Sequence, residues 1–456
     1  MGIFPKPVPM RQSLLAVAIL VLMPLQGCLL EERTKGGEES TQGENVLGTS
    51  VAPTVIRIWH SFASESKEEL VFTESVEFFA SENPNIEVEV TRIPYANAEQ
   101  LFSTAAQGGE APDLIRLSSD QLGQIGDIRV DGYPLLEDLR PHLTPMERLQ
   151  FDDDAISAMR YGNELLGIPA SVDCLSLIYN KDAFATAGID PPDANWTTED
   201  LLSAADAMTV REEQNGKMVV VQPGLSIPIK VAFWWFPFLH GFGGTLFDED
   251  GRPTLNSSGA AESLDWMFAL EKGDGAVVKK GTQIEGMKAD FIASEAPMII
   301  DGPWNWATYE SSRVSSIRGL GLTLLPIINE TGLRMSPLVT YKGWSLSKQS
   351  SAKEEAVELA LHLSSSEVQL RFALETYTMP THVELFNNET VQNDPVISGF
   401  LRQALLGTTA PTTRAMGMVY TPLATAFELV HGETSSASAA LQAADEELEN
   451  MLEELA

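Results

Sequence analysis

A chain of 456 residues, 44% of them apolar, is longer than one hydrophobic core usually covers, so two or more domains are expected. Its 64 acidic side chains against 30 Lys and Arg leave a formal charge of −34. A surface of that sign repels a phosphate backbone, which excludes nucleic acid as a partner and favours neutral or cationic ones.

The first 27 residues carry Lys6 and Arg11, no acid, and the apolar run Leu14 to Met23. That is the basic region and apolar core of an export signal, shorter than an ordinary membrane-spanning helix. "LQGC", Leu25 to Cys28, resembles the lipoprotein signal-peptidase box, in which Cys28 is lipidated and becomes the first mature residue. Gln26 departs from the small residue usual there. A plain membrane anchor is the alternative, and in both readings the folded part lies outside the cytoplasmic membrane. Residues 28–53 are rich in Glu, Gly, Ser and Thr and read as a flexible, lipid-anchored tether.

Folded structure is expected from residue 54. "TVIRIWHSF" (54–62) reads as a strand and 66–84 as an amphipathic helix, with Ser66 and Glu69 as a capping box and Leu70, Phe72, Val76 and Phe79 as its apolar face. "NIEVEVTRIP" (85–94) alternates as a strand, and "APDLIRLSS" (111–119) supplies another after an intervening helix. Strand, helix, strand, helix predicts an α/β fold with a largely parallel sheet covered on both faces. Helices follow at about 151–160, 197–208, 257–272 and 284–293, and strands at 175–180, 296–301 and 320–327. The last hundred residues read as mainly helical.

Few catalytic patterns are present. The six histidines are scattered without paired metal-ligand spacing, so no metal and no cofactor are expected. "GFGG" (241–244) lacks the Lys and Ser/Thr of a phosphate loop, and no Gly-x-Ser-x-Gly elbow occurs. With Cys28 assigned to the anchor, Cys174 is left alone in an apolar segment and reads as an inert core residue. Paired acids for glycoside hydrolysis stay open, because 64 acids offer many accidental pairs.

Several segments together resemble one family. "YGNELLGIPASVDCLSLIYNKDAFATAGI" (161–189), "APMIIDGPWNWA" (296–307), "GFGGTLFDEDGRPTLNSSGAAESLDWM" (241–267), "APDLIRLSSDQLG" (111–123) and the C-terminal helical pair are similar, in consistent order, to extracellular solute-binding proteins of carbohydrate importers, the maltose-binding group. The resemblance implies a two-lobed periplasmic-binding-protein fold of type II. Its lobes are discontinuous and joined by crossovers: an N-lobe at about 54–171 plus 336–382, and a C-lobe at about 172–335 plus 383–456. It implies a monomeric receptor rather than an enzyme, which takes an oligosaccharide between the lobes, closes by hinge motion and docks on an ATP-binding-cassette permease. Two alternatives remain: a receptor of the same fold for a polyamine or a glycerol phosphate ester, and a secreted carbohydrate-active enzyme.

A sugar presents apolar C–H faces and a rim of hydroxyls, so its site needs flat rings and charged acceptors. The resemblance places Trp304 as an aromatic platform, with Trp306 better suited to packing. It places Asp173 and Asp120 as carboxylates and Tyr420 as a further aromatic. The blander readings are a hinge-side salt bridge for Asp173, a helix cap for Asp120 and a helix-core ring for Tyr420. In the aromatic cluster at 231–244, Phe233 or Trp234 is expected to face the cleft, and Trp59 and Trp344 are further candidates. Leu117 stands where maltose binders carry Trp, and Gln121 where they carry Arg, which argues against maltose itself.

Overall fold

The computed structural model describes residues 52–312 and 319–454. The export signal, Cys28 and nearly all of the tether lie outside the described residues. Strand Thr54–His60 alternates as expected, with Ile56, Ile58 and His60 turned inward. Helix Lys67–Glu82 follows because the Ser66 hydroxyl accepts from the Glu69 backbone N–H at 3.1 Å. The reciprocal arm differs from the expected box: the Glu69 carboxylate takes the Glu65 N–H instead of that of Ser66. The buried stripe is Val71, Phe72, Ser75, Val76 and Phe79. Leu70, expected on that stripe, is 55% exposed, because it sits about 100° around the helix from Val71.

Two sheets organise the chain. The six-stranded sheet runs Thr408–Thr409, Leu338–Leu346, Leu114–Ser118, Thr54–His60, Ile86–Arg92, with Ile168–Asp173 also paired to Leu338–Leu346. The four-stranded sheet runs Leu225–Ser226, Met298–Asp301, Ser176–Asn180, Leu320–Thr323. Both are mixed, which corrects the expectation of a largely parallel arrangement. Thr54–His60 is parallel to both of its neighbours, but Leu338–Leu346 runs antiparallel to Leu114–Ser118 and Ile168–Asp173. Ser176–Asn180 likewise runs antiparallel to Met298–Asp301 and Leu320–Thr323. The cause is connectivity. A strand that arrives from the other sheet has no βαβ crossover to impose a parallel direction.

Each sheet carries its own helices, giving two α/β lobes. Ile168–Asp173 and Ser176–Asn180 are separated by two residues and belong to different sheets, so the chain crosses between the lobes there. A second close contact joins helix Arg414–Met418 to helix Ser119–Asp127. A Cβ on Gly123 would lie 2.4 Å from the Thr413 backbone, so only glycine allows that approach. Among the described residues, no helix is long and apolar enough to cross a membrane.

Candidate functional site

One face of the six-stranded sheet changes character along its length. Ile58, Leu114 and Leu346 lie abreast and buried under the first helix. Farther on, Arg116 pairs with Trp344, then Ser118 and Ser171 flank Lys342, and last Thr340 pairs with Asp173. The polar end coincides with the carboxyl ends of Thr54–His60 and Leu114–Ser118, where open α/β sheets hold their ligands.

Lys342 is the centre of this polar end. It is only 8% exposed, and its Nζ donates to Ser118 Oγ at 2.7 Å, Thr340 Oγ1 at 3.1 Å and Tyr95 Oη at 3.2 Å. Asp173 Oδ2 lies 3.9 Å away. Burial pushes the Asp173 carboxyl above the usual carboxylate range, with Lys342 and Arg116 opposing it. Asp120 is also buried, but it does not cap its helix: Ser118 holds the cap position of Ser119–Asp127. Instead its Oδ2 accepts from the Tyr420 hydroxyl at 2.7 Å, while Oδ1 has no partner among the described residues. Burial raises the Tyr420 hydroxyl well above its ordinary value, and Asp120 adds to the shift. Glu68, in the first turn of helix Lys67–Glu82, is pushed up to about 7 by burial; Arg116 and a hydrogen bond from Thr378 pull the other way, whereas Asp173 adds to the rise.

The aromatic side is built at the end of Met298–Asp301. Asp301, fully buried, accepts from the Gly302 N–H at 2.9 Å, from Asn305 Nδ2 at 2.9 Å and from the Tyr309 hydroxyl. These bonds fix the turn that carries Trp304. The indole folds back over Gly302 so closely that a Cβ there would come within 2.0 Å of the ring. Trp304 is half-buried and leans on Phe233, with centroids 6.2 Å apart. Phe233 contacts Phe236 at 6.5 Å, and Phe236 contacts Tyr420 at 5.9 Å. A row of rings therefore runs from Trp304 through Phe233 and Phe236 to Tyr420, and Tyr420 ends it on Asp120. Trp306 is buried against Tyr377 and Phe400.

The other expected residues lie elsewhere. Trp234 is 5% exposed and its Nε1 donates to the Ile300 carbonyl at 2.7 Å, pinning helix Ala232–Gly241 to the adjacent strand. Trp344 is 2% exposed and stacks on Phe72 at 5.4 Å. Trp59 is half-buried and, by register, on the sheet face opposite Lys342. Leu117, buried in the core, shares that opposite face, so it leaves no ring beside the carboxylates. Cys174 is buried, and burial raises its thiol well above the ordinary range. Sequence reasoning missed Lys342, Tyr95, Arg116, Glu68 and Asp301. Lys342 had one legible signal, a lone charge within the otherwise uncharged strand "LVTYKGWSL".

A family model described as "Bacterial extracellular solute-binding protein" matches residues 63–370, well over half of the chain. This chain belongs to that family. Among relatives of this solute-binding protein, a maltodextrin-binding protein of Bacillus subtilis is 26% identical over 426 residues, covering 91% of this chain and 92% of the relative. A galactooligosaccharide-binding protein of the same organism is 23% identical over 357 residues, covering 76% and 78%. The maltose/maltodextrin-binding domain of Bdellovibrio bacteriovorus, solved with maltotriose, superposes with a TM-score of 0.78 at 28% identity, covering 88% of this chain and all of that one.

Proposed function

We propose that this solute-binding protein captures an oligosaccharide between its lobes and delivers it to an ATP-binding-cassette permease. The carrying observation is the ring row that starts at half-exposed Trp304 and ends at Asp120, whose second oxygen is buried and has no partner among the described residues. Ring faces suit the apolar side of a sugar, and an unpaired buried carboxylate oxygen suits a hydroxyl donor. The names of the relatives support a sugar, and their variety leaves its identity to experiment.

In this reading Trp304 is the platform and Phe233 its edge. Asp120 and Asp173 accept ligand hydroxyls, and Tyr420 closes the far end. Trp234, Trp344 and Trp59 support the lobes. The N-lobe is about 54–171 plus 336–382 and the C-lobe about 172–335 plus 383–456, with Thr408–Thr409 lying at the junction beside Leu338 and Val339. The protein works as a monomer without catalysis, held by lipidated Cys28 on the outer face of the membrane.

Intrinsic tryptophan fluorescence titrated with a panel of neutral oligosaccharides tests the reading. Emission and melting temperature should shift with at least one linear sugar of two to four units. A folded protein that responds to none of them is not a carbohydrate receptor, and product formation during the incubation would make it an enzyme. The buried Asp120 oxygen without a partner among the described residues would also take an ammonium proton, so a polyamine belongs in the same titration.

A further inference from the structure

We propose that Lys342 sets the ligand class of the cleft, committing the wall around it to a neutral, hydroxyl-rich ligand and against anions and cations alike. This rests on the capture of a ligand between the lobes proposed above.

An ammonium has three protons and no acceptor. Ser118, Thr340 and Tyr95 take all three, so none remains for a carboxylate or phosphate on a ligand. The charge itself stays, but Asp173 Oδ2 lies 3.9 Å away and offsets it, so the pair draws neither an anion nor a cation strongly. An arriving anion would instead face Asp120 and Asp173 with no free ammonium proton in reach.

The same bonds turn the wall into a donor and acceptor array. Tyr95 Oη accepts from Lys342, which leaves its own phenolic proton to donate elsewhere. Tyr95 is 42% exposed, so that proton can reach a ligand oxygen. Asp120 Oδ1, in a side chain only 3% exposed, can accept from a ligand hydroxyl. A group that both donates and accepts satisfies both, and a hydroxyl is such a group. Lys342 thus acts through the hydroxyls it orients and is a positioning residue.

Calorimetric titration of the full chain with maltotriose, galactotriose, trigalacturonate and spermidine tests this, using the wild type, Lys342→Met and Tyr95→Phe. The wild type should prefer a neutral trisaccharide to trigalacturonate and spermidine by about a hundredfold. Lys342→Met should weaken the neutral sugar by about tenfold, as expected for disturbed charge-assisted bonds, and strengthen spermidine. Opposite changes for the two ligands distinguish a specificity role from general damage, which weakens both. Tyr95→Phe keeps the ammonium and should lose about fivefold on the neutral sugar alone, the size of one hydrogen bond. If Lys342→Met does not fold, the Tyr95→Phe result and the wild-type preference decide. Trigalacturonate bound as tightly as the neutral sugar, or both ligands moving together in Lys342→Met, would overturn the role of Lys342 while leaving sugar capture standing. A wild type that binds neither trisaccharide and no sugar of the panel overturns the capture reading itself.

Discussion

On the six-stranded sheet, Lys342 is held by Ser118, Thr340 and Tyr95 with Asp173 3.9 Å away, while Tyr420 holds Asp120 and Thr378 holds Glu68. Beside it, Trp304, Phe233, Phe236 and Tyr420 are positioned by ring contacts, and Gly302 is small enough to leave room for the Trp304 indole. The difference lies in what each wall tolerates. A charged cluster fails when one member is removed, because the partner is left buried and unpaired. A ring row loses contact area and keeps its neighbours.

Five variants would break or sharpen that contrast. Asp120→Ala should have the largest effect on affinity, about 2 kcal/mol or roughly thirtyfold in Kd, because it removes a charged acceptor. If ligand binding is unchanged in that variant, the carboxylate wall is structural only. Trp304→Ala should weaken binding by about tenfold, near 1.4 kcal/mol, with folding intact. Gly302→Ala should approach the same loss by displacing the indole, and an unaffected affinity in both would assign Trp304 to the core.

Trp234→Phe separates support from contact. Losing the bond to Ile300 should cost about 1 kcal/mol of stability in denaturant unfolding, with ligand affinity unchanged. The smallest effect concerns Glu68, raised from 4.5 to about 7 by burial. A carboxyl with a raised folded-state value resists ionisation, so its charge destabilises the fold above about pH 7, and the penalty fades as pH falls to 4.5. Glu68→Gln should therefore be more stable than the wild type at pH 8, by about 1 kcal/mol, with the gap closing near pH 4.5. His60, lowered to about 4 by burial, works in the opposite direction, losing stability as pH falls below 6.5. For that reason the difference between the variants, rather than either curve, is the measurement. A gap that does not change with pH would place Glu68 in open solvent.

Much of the local structure was legible in the residues themselves. Helix Lys67–Glu82, helix Thr198–Met208 and strand Met298–Asp301 fall within a few residues of where periodicity and caps put them. Those signals act within one or two turns of chain, so a linear reading captures them. Of the paired tryptophans after that strand, Trp304 is half-buried and Trp306 is packed inside.

Tertiary structure alone decided strand direction and the polar cluster. Nothing local marks Leu338–Leu346 as antiparallel, since direction depends on which lobe the chain arrives from. Asp120, Asp173, Lys342 and Tyr420 lie up to 300 residues apart, and each alone reads as an ordinary polar residue. Burial gives them their meaning: charges that would be solvated singly at the surface must find one another once the sheet ends and the C-terminal helices enclose them.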